Sequence, residues 1–340
     1  MRAISAADSV SAAVQRTRDF LFRPFNWGTY LKLGLVAIVT EGLGSNLHSS
    51  SNGSRTSGHG PMLYSSHLHP LAWAAAIAMS LLVAIFAAWL FYLITRLRFA
   101  FFHCLIHNTR EIRPGWTIYA PQATRFFWMN LLVGFCFLIV VGLISLPFIG
   151  GFMRVFHEIN QGRQPGFGLM LSLVLPLIPI FVLLLLAAIL ADVILRDWML
   201  PHFALDNASF GEAWSQVRAH FMAEKRQFLA YALLRLVLPL IAAVAVFCVL
   251  LIPGLVLAGS LAMVEYGLHS AFADATGGSA ITGELLQAFF AVLAFGFAVL
   301  ASICLGGPLS TGTREYALIF YGGRYQKLGD ILYPAISRLA

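Results

Sequence analysis

The chain has 340 residues, of which 59% are hydrophobic and 11% charged, with a formal net charge of +7. A soluble domain carries about 25% charged residues, so a chain this apolar has too little polar surface to cover itself. The composition excludes a secreted disulfide scaffold, a disordered tail and a simple nucleic-acid binder. It reads as an all-α polytopic membrane protein folded as a single integral membrane domain over residues 1–340.

Residues 1–28 predict an interfacial segment. Val10, Val14, Thr17 and Leu21 fall on one helical face, and Phe22, Phe25 and Trp27 follow as an aromatic anchor. Arg16, Asp19 and Arg23 interrupt the apolar pattern, so no cleavable signal is expected. A first span is expected over residues 30–43, short and flanked by Lys32 and Glu41, serving as the uncleaved insertion signal. Residues 44–70 are rich in Ser, Gly and His and read as a flexible outer loop.

A span needs about 20 mostly apolar residues. Further stretches at residues 71–94, 127–152, 167–190, 228–264 and 281–305 bring the expected number of transmembrane helices to six. In the fourth, 16 residues between Leu169 and Leu190 are Leu, Ile, Val or Phe. Together they favour insertion by roughly 5 to 10 kcal/mol, and Asp192, at the end of the span, costs less than the about 3 kcal/mol of a central position. Pro147, Pro176, Pro179, Pro239 and Pro253 predict breaks within spans, while Ala76, Ser80, Ala84 and Ala88, and Ala291, Ala294, Ala298 and Ala301, form small-residue stripes suited to close helix packing. A last span and cytoplasmic tail occupy residues 281–340.

An internal repeat relates residues 71–154 to residues 167–264. One copy reads RLRFAFFHCLIHNTREIRPGW and the other ILRDWMLPHFALDNASFGEAW. His103 and Asn108 are spaced as His202 and Asn207 are, and Trp116 and Trp214 follow. After the second copy, Phe210, Trp214, Val217 and Phe221 recur at helical spacing, with Ser209 and Glu212 as a capping box. This connector predicts an amphipathic helix at the membrane surface. The first connector is less regular because Pro114 and Pro121 interrupt it.

With the N-terminus inside, six spans return the C-terminus inside. The inner segments then hold 17 Lys and Arg residues and the outer ones 3. This is the positive-inside pattern, and it explains the net charge without nucleic acid. The expected location is a prokaryotic inner membrane, with both termini cytoplasmic.

The segments TRDFLFRPFNWGTYLKLGLVAIV, RLRFAFFHCLIHN, VILRDWMLPHFAL with FGEAWSQVRAHF, and EYALIFYGGR resemble an uncharacterised family of prokaryotic polytopic membrane proteins. That family is similar in turn to the membrane portion attached to some glycerophosphodiester phosphodiesterases. The resemblance implies a helical membrane module with no catalytic residues to carry over, because the phosphodiesterase chemistry belongs to a separate barrel of roughly 250 residues.

Asp192 and Arg235 are the sharpest candidate pair. Each is placed about two turns from the inner edge, where an ionisable group usually finds a partner. A packing salt bridge is the favoured account, and a substrate or proton site the alternative. His103 and His202, with Trp116 and Trp214, are expected to anchor span ends at the headgroups. His48, His59, His67 and His69 crowd the outer loop without a convincing ligand set. Cys104, Cys136, Cys248 and Cys304 show no metal or disulfide spacing. No catalytic motif or cofactor fingerprint is present. The favoured reading is a non-catalytic scaffold or accessory module with no cofactor. Its partners are membrane lipids and an unidentified protein or a second copy. The alternative is a small-solute permease with a cavity near Asp192 and Arg235.

Overall fold

The computed structural model describes residues 5–42, 70–161, 166–272 and 278–333. Among these residues every regular element is helical: α1 (Asp8–Phe22), α2 (Trp27–Ala37), α3 (Pro70–His107), α4 (Ile112–Ile118), α5 (Ala120–Asn160), α6 (Phe167–Val193), α7 (Leu200–Leu205), α8 (Phe210–Ala223), α9 (Lys225–Phe272), α10 (Gly278–Gly322) and α11 (Gln326–Leu332). Single π-helical turns follow α2 at Ile38–Gly42 and α6 at Ile194–Met199.

Among the described residues five helices are long and apolar enough to cross a membrane: Trp73–His107, Ala120–Asn160, Met170–Leu205, Lys225–Val264 and Ile281–Gly322. The expected first span is not among them. Its residues form the 11-residue α2 and the π turn, and at 1.5 Å per residue α2 is about 16 Å long against a hydrocarbon core of about 30 Å. The prolines do not break the spans either: α5, α6, α9 and α10 run straight through Pro147, Pro176, Pro179, Pro239, Pro253 and Pro308. Neighbouring groups and local adjustment satisfy the carbonyls that proline frees in such helices. Pro121 occupies the opening turn of α5, where its missing N–H costs nothing, so it starts a helix rather than interrupting one. The expected outer loop, with His48, His59, His67 and His69, lies outside the described residues.

The chain divides into two compact units. One comprises residues 1–52, 103–112 and 224–340. Its frame is an antiparallel pair, α9 and α10, whose contacts run in opposite directions along the two helices. Glu224 meets Arg324, Phe228 meets Phe320 at 5.4 Å between rings, and Tyr231 stacks on Tyr316 at 4.9 Å. All four rings are buried. Against the C-terminal half of α10 pack α1, α2 and α11. The face α1 uses is turned from the expected one, keeping Thr17 and Leu21 but not Val14. Val14 is 62% exposed, and Ser9, Ala13 and Thr17 are buried with Phe20 and Leu21. Small side chains bring α1 close to α10, so that a Cβ added at Gly312 would stand 3.6 Å from the Thr17 hydroxyl. At the C-terminus of α1, Arg110 donates to the carbonyls of Phe20, Arg23 and Pro24 at 2.6–2.7 Å. A fixed cation there complements the helix dipole and satisfies otherwise orphaned carbonyls.

The other unit comprises residues 53–102 and 113–223. Phe126 packs edge-on against both Phe99 and Phe203, at 5.5 and 5.4 Å. The Arg96 guanidinium lies 4.6 Å over the Trp116 ring and donates to the Trp116 carbonyl. The capping box forms as expected: the Ser209 amide donates to Glu212 at 2.8 Å, and the Glu212 amide to the Ser209 hydroxyl at 3.4 Å. α8 buries Ala213 and Val217 and leaves Phe210 and Trp214 exposed. No member of either small-residue stripe is buried within the chain: Ala76, Ser80, Ala84, Ala291 and Ala298 are exposed, and Ala88, Ala294 and Ala301 half-buried.

Candidate functional site

The two segments paired in the expected repeat end their helices alike. Asn108 and Asn207 have φ of 52° and 51°, the left-handed region, and are the non-glycine residues found there among the described residues. Asparagine tolerates this conformation better than other side chains. The Thr109 amide then bonds back to the Cys104 carbonyl, and the Ala208 amide to the His202 carbonyl. Each turn leads through a short helix into a long apolar one. The recurrence of His and Asn in sequence thus has a backbone cause on its Asn side: a stop is needed before the chain changes direction.

The histidines differ from one another. His202, expected at the headgroups, is fully buried, with its ring nitrogen 3.4 Å from Asp206. His103 is half-buried, and its ring lies 4.5 Å from that of His107. Trp116 is half-buried beneath Arg96, and Trp214 is 43% exposed. Among the described residues no group of three His, Cys, Asp or Glu side chains could hold a metal ion. The four cysteines are free thiols, and buried Cys104 donates to the Glu111 carbonyl.

The expected Asp192–Arg235 pair gives way to two ion pairs, one in each unit. Asp192 accepts from Arg196 at 2.7 Å, one turn along its own chain. Arg235 bonds Glu41 at 3.1 Å. The sequence reading missed both partners for local reasons. Arg196 lies beyond the apolar run of the span, at residues 167–190. Glu41 lies at the edge of the expected first span, but the π turn carries it into the protein, where Arg314 also approaches it at 4.0 Å. The three side chains are at most 13% exposed. The other π turn also holds charge in the interior, burying Arg196 and Asp197. A π turn widens the helix by one residue and so re-aims a side chain that regular spacing would place elsewhere.

A third group joins α1 to α10. Arg16 Nε lies 3.1 Å from Glu315 Oε2, whose side chain is wholly buried, and Arg16 Nη2 donates to the Leu105 carbonyl at 2.7 Å. Beside it opens a cavity of about 570 Å³ within the first unit. Gln15, Arg16, Asp19, His107, Asn108 and Tyr333 give it a polar wall, and Ile106, Ile319, Ile331 and Leu332 an apolar one. Burial pushes the Tyr333 hydroxyl above its ordinary pKa; nearby Arg16 opposes this and Glu315 reinforces it. Nothing in residue spacing announces this cavity, because its walls come from four separate stretches of chain.

The chain belongs to DUF7544, a family of unknown function that matches it over residues 4–331. No curated protein and no solved structure matches it.

Proposed function

We propose that this protein is a non-catalytic integral membrane module, a scaffold or accessory protein that binds lipid and docks a partner or a second copy of itself. One observation carries the reading: no more than 6% of the most apolar stretch of any long helix is buried within the chain. Those surfaces need lipid or another protein, and they present almost no polar groups from which a solute path is built. The Glu41–Arg235 and Arg16–Glu315 pairs instead join one segment to another, and Asp192–Arg196 lies within a single stretch of chain. The resemblance to the membrane portion attached to some phosphodiesterases fits a module that supports activity lodged elsewhere.

The permease alternative rested on a cavity near Asp192 and Arg235. The bonds of those residues to Arg196 and Glu41 favour a packing role. Reconstitution in proteoliposomes tests the choice. Proton flux reported by an entrapped dye, and swelling in gradients of small solutes, should match protein-free vesicles. Flux that Asp192→Asn or Arg235→Gln abolishes would overturn the module reading.

Both chain ends lie on one side of the membrane in this reading, the cytoplasmic side by the distribution of Lys and Arg. The packing of α1 and α11 on the same half of α10 supports it. Five long helices then require a sixth crossing, and α2 with its π turn is the segment to supply it. A reporter active only outside the cytoplasm should stay silent when fused to either end.

A further inference from the structure

We propose that the cavity between α1, residues 106–108, α10 and α11 binds a phosphoethanolamine group, a phosphate and a primary ammonium held two methylene carbons apart. The geometry supplies both charges on one helix. Arg16 is fixed by two partners, Glu315 through Nε and the Leu105 carbonyl through Nη2. Its Nη1 has no partner among the described residues and belongs to a side chain lining the cavity. That is a pre-organised donor for a phosphate oxygen, and His107 stands on the same wall as a second one.

Asp19 follows Arg16 by three residues, so the two are neighbours on α1, with Cβ atoms about 5–6 Å apart. Among the described residues Asp19 pairs with Arg23 at 3.4 Å, the two side chains being 46% and 67% exposed. Such a pair contributes little and is easily exchanged. With Gln15 and Asn108, Asp19 offers acceptor oxygens on three side chains, enough for the three donors of a primary ammonium. A quaternary ammonium has no donors and favours a cage of several aromatic rings; Tyr333 is the single aromatic residue lining this cavity. A purely anionic headgroup would face the Asp19 carboxylate unrelieved. The apolar wall of Ile106, Ile319, Ile331 and Leu332 suits the glycerol and first acyl carbons of a lipid carrying the group.

The site rests on the lipid-binding reading only for the source of its ligand, and its test is separate from flux. The purified full-length chain in neutral detergent is titrated with dihexanoyl phosphatidylethanolamine, its phosphatidylcholine and phosphatidylglycerol counterparts, and free phosphoethanolamine, and the thermal midpoint is followed. The ethanolamine lipid should raise the midpoint saturably and the other two lipids should not. An equal response to free phosphoethanolamine would assign the site to a soluble ligand; none would assign it to the lipid. Asp19→Asn removes a half-exposed carboxylate and should leave the fold intact while weakening ethanolamine-lipid binding at least about tenfold. Arg16→Gln risks the fold because it leaves Glu315 buried alone, so Asp19→Asn is the deciding variant. No midpoint shift, equal shifts with all three lipids, or unchanged affinity in Asp19→Asn would each overturn the proposal.

Discussion

Gly34 of α2 and Gly307 of α10 meet backbone to backbone: a Cβ on Gly307 would stand 2.7 Å from the Gly34 Cα. A Cβ on Gly34 would meet the Ile303 side chain at 3.3 Å, a neighbour able to give way. The contact is therefore asymmetric. Gly307→Ala should destabilise the first unit by about 1–3 kcal/mol, and Gly34→Ala by less. Gly296→Ala, where nothing lies within 4 Å, should cost no packing. Thermal unfolding in one detergent ranks the three, and an equal loss at Gly296 would contradict the close crossing.

Glu41 answers to two arginines, at 3.1 and 4.0 Å. Glu41→Gln leaves both without this counter-charge in a buried setting, and removal of one partner of a buried pair costs about 3–5 kcal/mol. Arg235→Gln should cost less, because Glu41 keeps Arg314. A double-mutant cycle on Glu41 and Arg235 should show coupling of about 0.5–3 kcal/mol, measured as unfolding free energy in denaturant. Strict additivity would mean that the bond contributes nothing.

The long helices were legible because Leu, Ile, Val and Phe are dense enough over residues 169–190, and in the other long stretches, to decide insertion alone. The capping box was legible because its chemistry is local, Ser209 to Glu212. The partners of Asp192 and Arg235 were not. Side-chain pairing depends on where a helix departs from regular spacing, and nothing in the residues 38–42 or 194–199 marks a π turn. The face of α1 was misjudged for a related reason. Hydrophobicity points to Val14, but closeness to α10 favours Ser9 and Ala13, which periodicity treats as filler. The Arg16 cavity depends on residues scattered from position 12 to 333 and could be read only in three dimensions.

Asn108 holds φ at 52°. Asn108→Gly should leave stability nearly unchanged, since glycine adopts this conformation freely. Asn108→Ala should cost about 1–2 kcal/mol from the clash of its Cβ. Unfolding midpoints of the two variants separate backbone strain from loss of the amide side chain. Equal losses would assign the effect to the side chain.

Glu212 is held below the ordinary carboxylate range, chiefly by the Ser209 backbone amide and then by the Ser209 hydroxyl. A depressed carboxylate contributes stability above its unfolded pKa, lost as pH falls through the folded value. Glu212→Gln should therefore weaken the start of α8 at neutral pH and matter progressively less in acid. Hydrogen exchange of the amides at 209–213 over pH 3 to 7, corrected for intrinsic rates, checks this; a difference from the native chain that persists undiminished at the acid end would contradict it.

The docking of the first helices on the last sets an order of assembly. Tyr30 donates to the Cys304 carbonyl across a separation of 274 residues, and Arg16 waits for Glu315. At about 5–20 residues per second, the ribosome takes on the order of 15–60 s to cover that distance. Throughout that interval α1 and α2 exist without the surface that buries them, while the intervening apolar helices emerge. The nascent chain must therefore keep Ser9, Ala13, Thr17 and Gly34 uncommitted until α10 arrives. A stop codon before residue 303 would leave the N-terminal helices, though fully synthesised, with no place to dock.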